Sequence, residues 1–469
     1  MMSMSAPDLS TELMTHFRES GAEKHTTILL GAGASTTSGL PGWDDLVSRL
    51  LLGSGAVPDR KSAELLLQRQ DPLIVAEAAR AGYGDSWLEK VRNELYRVAA
   101  PPESSPLHRA AVSHALTGRP GQTSLVTLNF DTLLEGALED ERAAGGDDTS
   151  PAPIVHHLHG VISPTQTKDV IFTLTDFLDV LGDQTSWQRT YLHDALSKGA
   201  LVIAGTSYRD PDVRQWFHTA KKSAPRGHAA LVILAREGFR LDRSHFASLK
   251  GALRDQWAAV GLRAVLVDDH ADAAQAIREL RHVNEPNYLA PQQRARAMWE
   301  RHRDRFAELQ SEYAALLVDQ ADRMRSVFDV DRLNVSLWLS DGEGRLVRWA
   351  ADDRVYRDVS ALRSVESGYD SSWVAGRALS TESLLIQDLE PAGTRRWRSV
   401  AAVSIPIDHP SHPPMSAAVV TIGLPGEARE YEASSFLWVK QLSHIGDSWS
   451  VRLSATAFDS AGLPSEEGK

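Results

Sequence analysis

The chain of 469 residues is too long for one hydrophobic core, so two or three domains are expected. With 42% hydrophobic and 24% charged residues it has a soluble globular composition, and with no cysteine it excludes disulfides, thiolate nucleophiles and Cys-ligated zinc. A net charge of −12 argues against nucleic-acid binding as the main role. No apolar run approaches the ~18 residues that span a bilayer, and Met1 to Pro7 carries no secretory signal, so the expectation is a cytoplasmic chain with no membrane partner.

Residues 9 to 24 read as a polar lead-in helix. Thr26 to Leu30 is a short β-branched and aliphatic run, hence a buried strand, and it ends at Gly31-Ala32-Gly33-Ala34-Ser35. Side chains small enough for backbone to approach a diphosphate, followed by a helix N-terminus, give a phosphate-contacting loop. The third glycine of the dinucleotide fingerprint is missing, and no Lys-Ser/Thr pair makes this a P-loop. Trp43, Leu46, Val47, Leu50 and Leu51 recur at helical spacing, and residues 61 to 100 and Ser105 to Leu116 read as further helices beside the loop, a helical cap.

Strands are then expected at Ser124–Leu128, Ile154–Leu158, Val170–Leu174, Ala200–Ala204, Ala229–Leu234 and Ala264–Val267, with helices at Pro211–Lys222, near 244–258 and at Ala271–Leu280. Nearly continuous apolar strands alternating with helices describe an α/β, Rossmann-like parallel sheet whose ligand lies at the strands' carboxyl ends. Prolines and polar residues near 285 mark a boundary. Residues 286–328 read as a linker and one long amphipathic helix, either packed on a domain or forming a dimer seam. A hairpin follows, Leu333–Leu339 with Arg345–Trp349 across Asp341-Gly342-Glu343-Gly344, then a helix from Trp373, strands Ser399–Ile407 and Ser416–Gly423 joined by a loop with His409 and His412, and a helix Phe436–Leu453. Residues 329–455 thus form a smaller α+β domain, and 456–469 read as a disordered tail.

Three polar groups follow apolar strands: Thr127-Leu128-Asn129-Phe130-Asp131, His157-Leu158-His159-Gly160, and Gly205-Thr206-Ser207. Taken singly, Asn129 is a turn residue, Asp131 an N-cap and His159 a core histidine. As an ordered set with Gly31-Ala32-Gly33, they resemble the sirtuin family over roughly residues 22 to 285. Asn129-Phe130-Asp131 and Asp210-Pro211-Asp212 look most like the bacterial sirtuin-like branch of anti-phage defence proteins. That resemblance implies a domain, residues 1–285, that hydrolyses NAD to nicotinamide and ADP-ribose. Protein-deacylating sirtuins carry a four-cysteine zinc module that this chain cannot have.

The resemblance implies roles. Asn129 holds ribose or water and His159 is the general base, because an imidazole titrating near neutrality suits that task. Gly31, Ala32, Gly33 and Ser35 contact the diphosphate, and Thr206 and Ser207, with Gly205, reach ribose or phosphate. Thr127 and Asp131 belong to the same cofactor-binding motif, Asp131 chiefly holding the Asn129 loop. NAD is substrate; no metal is expected, although His156 and His157 form a surface histidine pair. Residues 310 to 455 resemble a GAF domain, implying a sensor that binds a small-molecule or phage-derived activator and supports homo-oligomers. The rival readings are an NAD-dependent deacylase or ADP-ribosyltransferase, and a non-catalytic NAD or ADP-ribose sensor.

Overall fold

The structure, a computed structural model, describes residues 17, 22, 24–97, 102–145, 153–183, 186–206, 215, 218, 230–390 and 396–458. It divides into two compact units, one ending at Leu266 and one beginning at Val267. The lead-in helix, the Pro211–Lys222 helix and Ser207 lie outside the described residues, apart from single residues of the two helices. Among the described residues no helix is long and apolar enough to cross a membrane.

The N-terminal unit is built on a sheet of β1 (Thr26–Leu30), β2 (Thr123–Thr127), β3 (Val155–His157), β6 (Ala200–Ala204), β7 (Ala230–Ala235) and β8 (Arg263–Val267) in the order β3-β2-β1-β6-β7-β8. The assigned pairings among β3, β2, β1, β6 and β7 are all parallel. β1 and β6 are wholly buried, as apolar runs in a sheet covered on both faces must be. Before β2 lie α1 (Ala32–Thr36), α2 (Trp43–Gly53), α3 (Arg60–Arg69), α4 (Pro72–Tyr83), α5 (Trp87–Leu95) and α6 (Pro106–Leu116). α2 to α5 close over a core of Leu46, Leu50, Val75, Trp87 and Val91 that also takes in Phe130 and Phe172. After β2 come α7 (Leu133–Gly145), α8 (Leu174–Gly182), α9 (Trp187–Lys198), α10 (Arg236–Phe239) and α11 (Arg243–Ala259). Phe177, Leu192, Phe246 and Trp257 from these helices cover one face of the sheet.

The strand expected at Val170–Leu174 is absent. A two-stranded ribbon of β4 (Val161–Ile162) and β5 (Thr167–Lys168) precedes it, and the segment itself leads into α8. Its polar groups explain this. Asp176 accepts the backbone N–H groups of Phe172 and Thr173, a helix N-terminal capping arrangement that an extended strand cannot make.

The C-terminal unit contains α12 (His270–Glu279), α13 (Pro291–Asp304) and α14 (Phe306–Phe328), then β9 (Asn334–Ser340), β10 (Arg345–Ala351), β11 (Ser364–Glu366), α15 (Val374–Thr381), β12 (Leu384–Asp388), β13 (Ser399–His409), β14 (His412–Leu424) and α16 (Ser435–Phe458). The sheet order is β11-β10-β9-β14-β13-β12, with every pairing antiparallel. Gly342 and Gly344, with φ of 72° and 89°, make the left-handed turns of the β9–β10 hairpin.

The single long helix expected before this sheet is two helices, interrupted at Arg305 (φ −103°, ψ 22°). Its apolar stripe, Leu309, Tyr313, Leu317, Ala321, Met324 and Phe328, is buried in the unit's own core with strand residues and α16, so the domain-packing alternative describes it. α12, read from sequence as part of the first domain, groups with this unit, where Glu279 forms a buried ion pair with Arg294. The final helix continues through Thr456 to Phe458, into the stretch expected to be tail.

Trp349 is fully buried and its ring meets Trp299, His302 and Phe306 edge-on. Its indole N–H has no hydrogen-bond partner among the described residues, so its contribution is packing. Trp349→Ala is expected to cost about 3–5 kcal/mol and Trp349→Phe clearly less, read as lowered denaturant midpoints of the full chain.

Candidate functional site

The strand order places β1 between β2 and β6: the chain runs outward from β1 through β2 and β3 on one side, then crosses over to β6, β7 and β8 on the other. Such a switch point opens a crevice beyond the strands' carboxyl ends. The register makes those ends level: Leu30 lies opposite both Thr127 and Ala204, and Thr127 opposite His157. Gly31, Leu128-Asn129, Leu158-His159 and Gly205-Thr206 therefore emerge side by side.

The Gly31 turn and the Gly205 turn interlock. Gly31 N–H donates to Ala204 O at 3.0 Å, and Gly33 N–H donates to Gly205 O at 2.6 Å. A Cβ on Gly31 would sit 2.5 Å from Thr206 Cα, and one on Gly205 would sit 2.8 Å from the Ala34 nitrogen, with Gly205 already at φ +65°. The glycines thus allow two backbones to touch, and, with Ala34 N–H donating to Gly31 O at 2.9 Å, three of the loop's N–H groups are engaged within the chain. Thr206 is buried there, and its hydroxyl has no hydrogen-bond partner among the described residues.

Asn129 is fixed from three directions. Its backbone N–H donates to Thr127 Oγ1 at 2.9 Å, and that hydroxyl donates to Leu30 O at 3.1 Å. Its carboxamide Nδ2 donates to Gly31 O at 3.1 Å and to Ser35 Oγ at 2.8 Å. Because a carbonyl can only accept, this contact orients the amide, and both its N–H groups face the chain. The group Asn129 keeps for a ligand is the acceptor Oδ1. Asp131, buried on the same loop, accepts the Leu133 N–H at 3.1 Å. Burial raises its pKa, opposed by hydrogen bonds from the Ser35 hydroxyl and the Leu133 N–H and by the His157 charge.

His159 Nδ1 lies 3.1 Å from Leu128 O, so Nδ1 carries the proton and Nε2 is the basic nitrogen of the neutral ring. His156 and His157 do not form a surface pair. Adjacent strand residues face opposite ways: His156 packs against Tyr191, while His157 is buried behind the Asn129 loop. His157 Nδ1 lies 2.9 Å from Asn129 O and Nε2 lies 2.6 Å from Glu135 Oε1 on α7. Burial alone would lower its pKa, but Glu135, the Asn129 carbonyl and Asp131 together raise it. Among the described residues no group of three or more His, Asp or Glu side chains is placed to hold a metal ion.

One cleft collects these residues. Its empty volume is about 980 Å³, counting its open mouth, and Ala32, Ser35, Asn129, Asp131 and His159 line it. Thr127, Gly31, Gly33, Gly205 and Thr206 are not on its wall; they brace the residues that are. The opposite wall, Leu40, Pro41, Trp43, Asp44, Asp71 and Leu73, comes from the helical cap. Trp43 stacks on Phe172 at 4.5 Å, and Phe172 on Phe130 at 5.4 Å, giving the cleft an aromatic side. Sequence reasoning missed Glu135 and the cap's Asp44 and Asp71. For His157 a signal existed, since two residues before His159 is the same side of an extended chain.

Residues 123–265 match the family model of the SIR2-like domain. The Rossmann-like sheet is sirtuin-like over that span, which carries Asn129, Asp131, His159 and Gly205 but not the Gly31 turn. The uncharacterized protein y4cA of Sinorhizobium fredii (strain NBRC 101917 / NGR234) is 26% identical over 211 residues, 41% of this chain and 17% of its own length. This chain therefore spans only about a sixth of that relative. The crystal structure of a Sir2 homolog–NAD complex aligns with 61% of this chain and 97% of its own at 18% identity, with a TM-score of 0.31, too low to bear on the fold.

Gly31→Ala is expected to push the Gly205–Thr206 backbone away and destabilise the N-terminal unit by about 1–3 kcal/mol, measured as a lowered denaturant midpoint.

Proposed function

We propose that the N-terminal unit is an NAD hydrolase that cleaves the nicotinamide–ribose bond, releasing nicotinamide and ADP-ribose. The observation that carries this reading is the meeting of the Asn129 carboxamide, anchored to the Gly31 turn, and the His159 ring on one cleft wall at the sheet's switch point. The SIR2-like match over the same residues supports NAD as the substrate class.

The chemistry asks little of an acid. The leaving ring is already cationic, so bond breaking through an oxocarbenium-like state needs no proton donor. Asn129 Oδ1 is suited to accept a hydrogen bond from a ribose hydroxyl or the attacking water, and His159 Nε2 to take that water's proton. Hydrolysis is favoured over deacylation because the chain has no cysteine for the zinc module of deacylating sirtuins.

The C-terminal unit is read as a GAF-like sensor, supported by its antiparallel sheet with α14 and α16 in one core and α15 in another. An enzyme that drains NAD is toxic to its host, and regulation by such a sensor during phage infection is the role that fits. The test is incubation of the full chain with NAD, with and without lysate from infected cells, following nicotinamide and ADP-ribose. Asn129→Ala and His159→Ala are each expected to lower turnover by roughly 10²- to 10⁴-fold. Turnover that survives both substitutions contradicts the roles, and turnover that requires an acylated peptide favours the deacylase.

A further inference from the structure

We propose that Glu135 and His157 are positioning residues that hold the Asn129 loop in its working geometry only while the His157 ring carries both protons. The proposal deepens the NAD-hydrolase reading and rests on it for its kinetic consequence, though not for its structural one.

The geometry leaves the ring little choice. Asn129 O, at 2.9 Å from Nδ1, can only accept a hydrogen bond. Glu135 Oε1, at 2.6 Å from Nε2, is a carboxylate oxygen and also accepts. Two acceptors on two ring nitrogens are satisfied together only by the imidazolium. A neutral ring has one N–H and must release either Glu135 or the Asn129 carbonyl. The other Glu135 oxygen, Oε2, is buried without a hydrogen-bond partner, so nothing else in the described residues anchors that carboxylate. The groups whose charges face His157 are Glu135 from α7, Asp131 from the Asn129 loop and His156 beside it on β3. Their net effect favours the charged ring, so His157 titrates above its ordinary value.

The consequence passes through one peptide unit. The Asn129 carbonyl that His157 grips belongs to the residue whose carboxamide reaches Gly31 O and Ser35 Oγ. Releasing that carbonyl frees the backbone to rotate and withdraws Oδ1 from the cleft wall. Glu135 and His157 do not line the cleft themselves, so their effect falls on orientation. Misplacing a positioning group by about 1 Å costs on the order of a hundredfold in rate. The sign follows from the raised pKa. The pair's contribution is complete below the ordinary imidazole value near 6.5 and is lost as pH rises through the folded value.

The chain offers a clean probe. Asn129-Phe130 is its only Asn–Phe step, so labelling with carbonyl-¹³C asparagine and ¹⁵N phenylalanine isolates one peptide in the NMR spectrum of the full chain. That signal is expected to titrate with a midpoint above 6.5, and Glu135→Gln, at a half-exposed helix position, is expected to move the midpoint down. In NAD turnover, Glu135→Gln is expected to lower kcat about ten- to a hundredfold at a pH between the two NMR midpoints, where only the parent ring is charged, with KM changed less than about threefold, and Glu135→Asp to recover part of the loss. A signal flat from about pH 5 to 9, or a midpoint that Glu135→Gln leaves in place, overturns the proposal, as does a kcat profile identical in the variant and the parent. If the signal titrates as described while the parent cleaves no NAD at any pH, the positioning pair stands and the hydrolase reading fails.

Discussion

The site depends on one contact, the hydrogen bond from the Asn129 carboxamide to the Gly31 carbonyl. It joins the end of the first strand to the end of its neighbour across the crevice where the sheet changes direction. It forms because Leu30 and Thr127 are in register, because Thr127 ties both strand ends with its hydroxyl, and because Gly31 carries no side chain to hold the Gly205 turn away. Backbone register therefore decides where the carboxamide points, and the carboxamide's two donors decide that its oxygen is what faces the cleft.

Around that contact the chain arranges groups in layers. Ser35 accepts from Asn129 and donates to Asp131, whose burial is tolerated because hydrogen bonds meet it. Asp131 in turn caps the start of α7 and so fixes the helix that carries Glu135. Phe130, between Asn129 and Asp131, turns away from the sheet into the cap's aromatic core. In the five-residue segment from Thr127 to Asp131, Thr127 braces and the four residues after it line the cleft, and its short length makes each member sensitive to its neighbours.

Much of this was legible in the sequence. The parallel strands stood out because Thr26–Leu30, Ala200–Ala204 and Ala230–Ala235 are uninterrupted runs of β-branched and aliphatic residues. Asn129 and His159 were singled out by their place at the ends of strand candidates, Ser124–Leu128 and Ile154–Leu158. What was not legible depends on a few local polar groups and on contacts made far along the chain. The Val170–Leu174 stretch is as apolar as a strand, yet Asp176 commits it to a helix start. The stripe from Leu309 to Phe328 has helical spacing, but nothing local marks the interruption at Arg305 or assigns the stripe to the core rather than to a second chain. The cap wall carrying Trp43, Asp44 and Asp71 meets His159 only through tertiary packing. β12, Leu384–Asp388, escaped notice because its burial is only partial and its apolar run is three residues long before Gln387 and Asp388.

The central claim is that Asn129 and His159 face the ribose next to nicotinamide. A crystal structure of the His159→Ala chain with NAD tests this most directly. The account predicts the nicotinamide ribose in the cleft, with a hydroxyl or an ordered water about 3 Å from Asn129 Oδ1 and the space vacated by the imidazole facing the reacting carbon. NAD bound elsewhere on the N-terminal unit, or in this cleft with its adenosine end against Asn129, would contradict it.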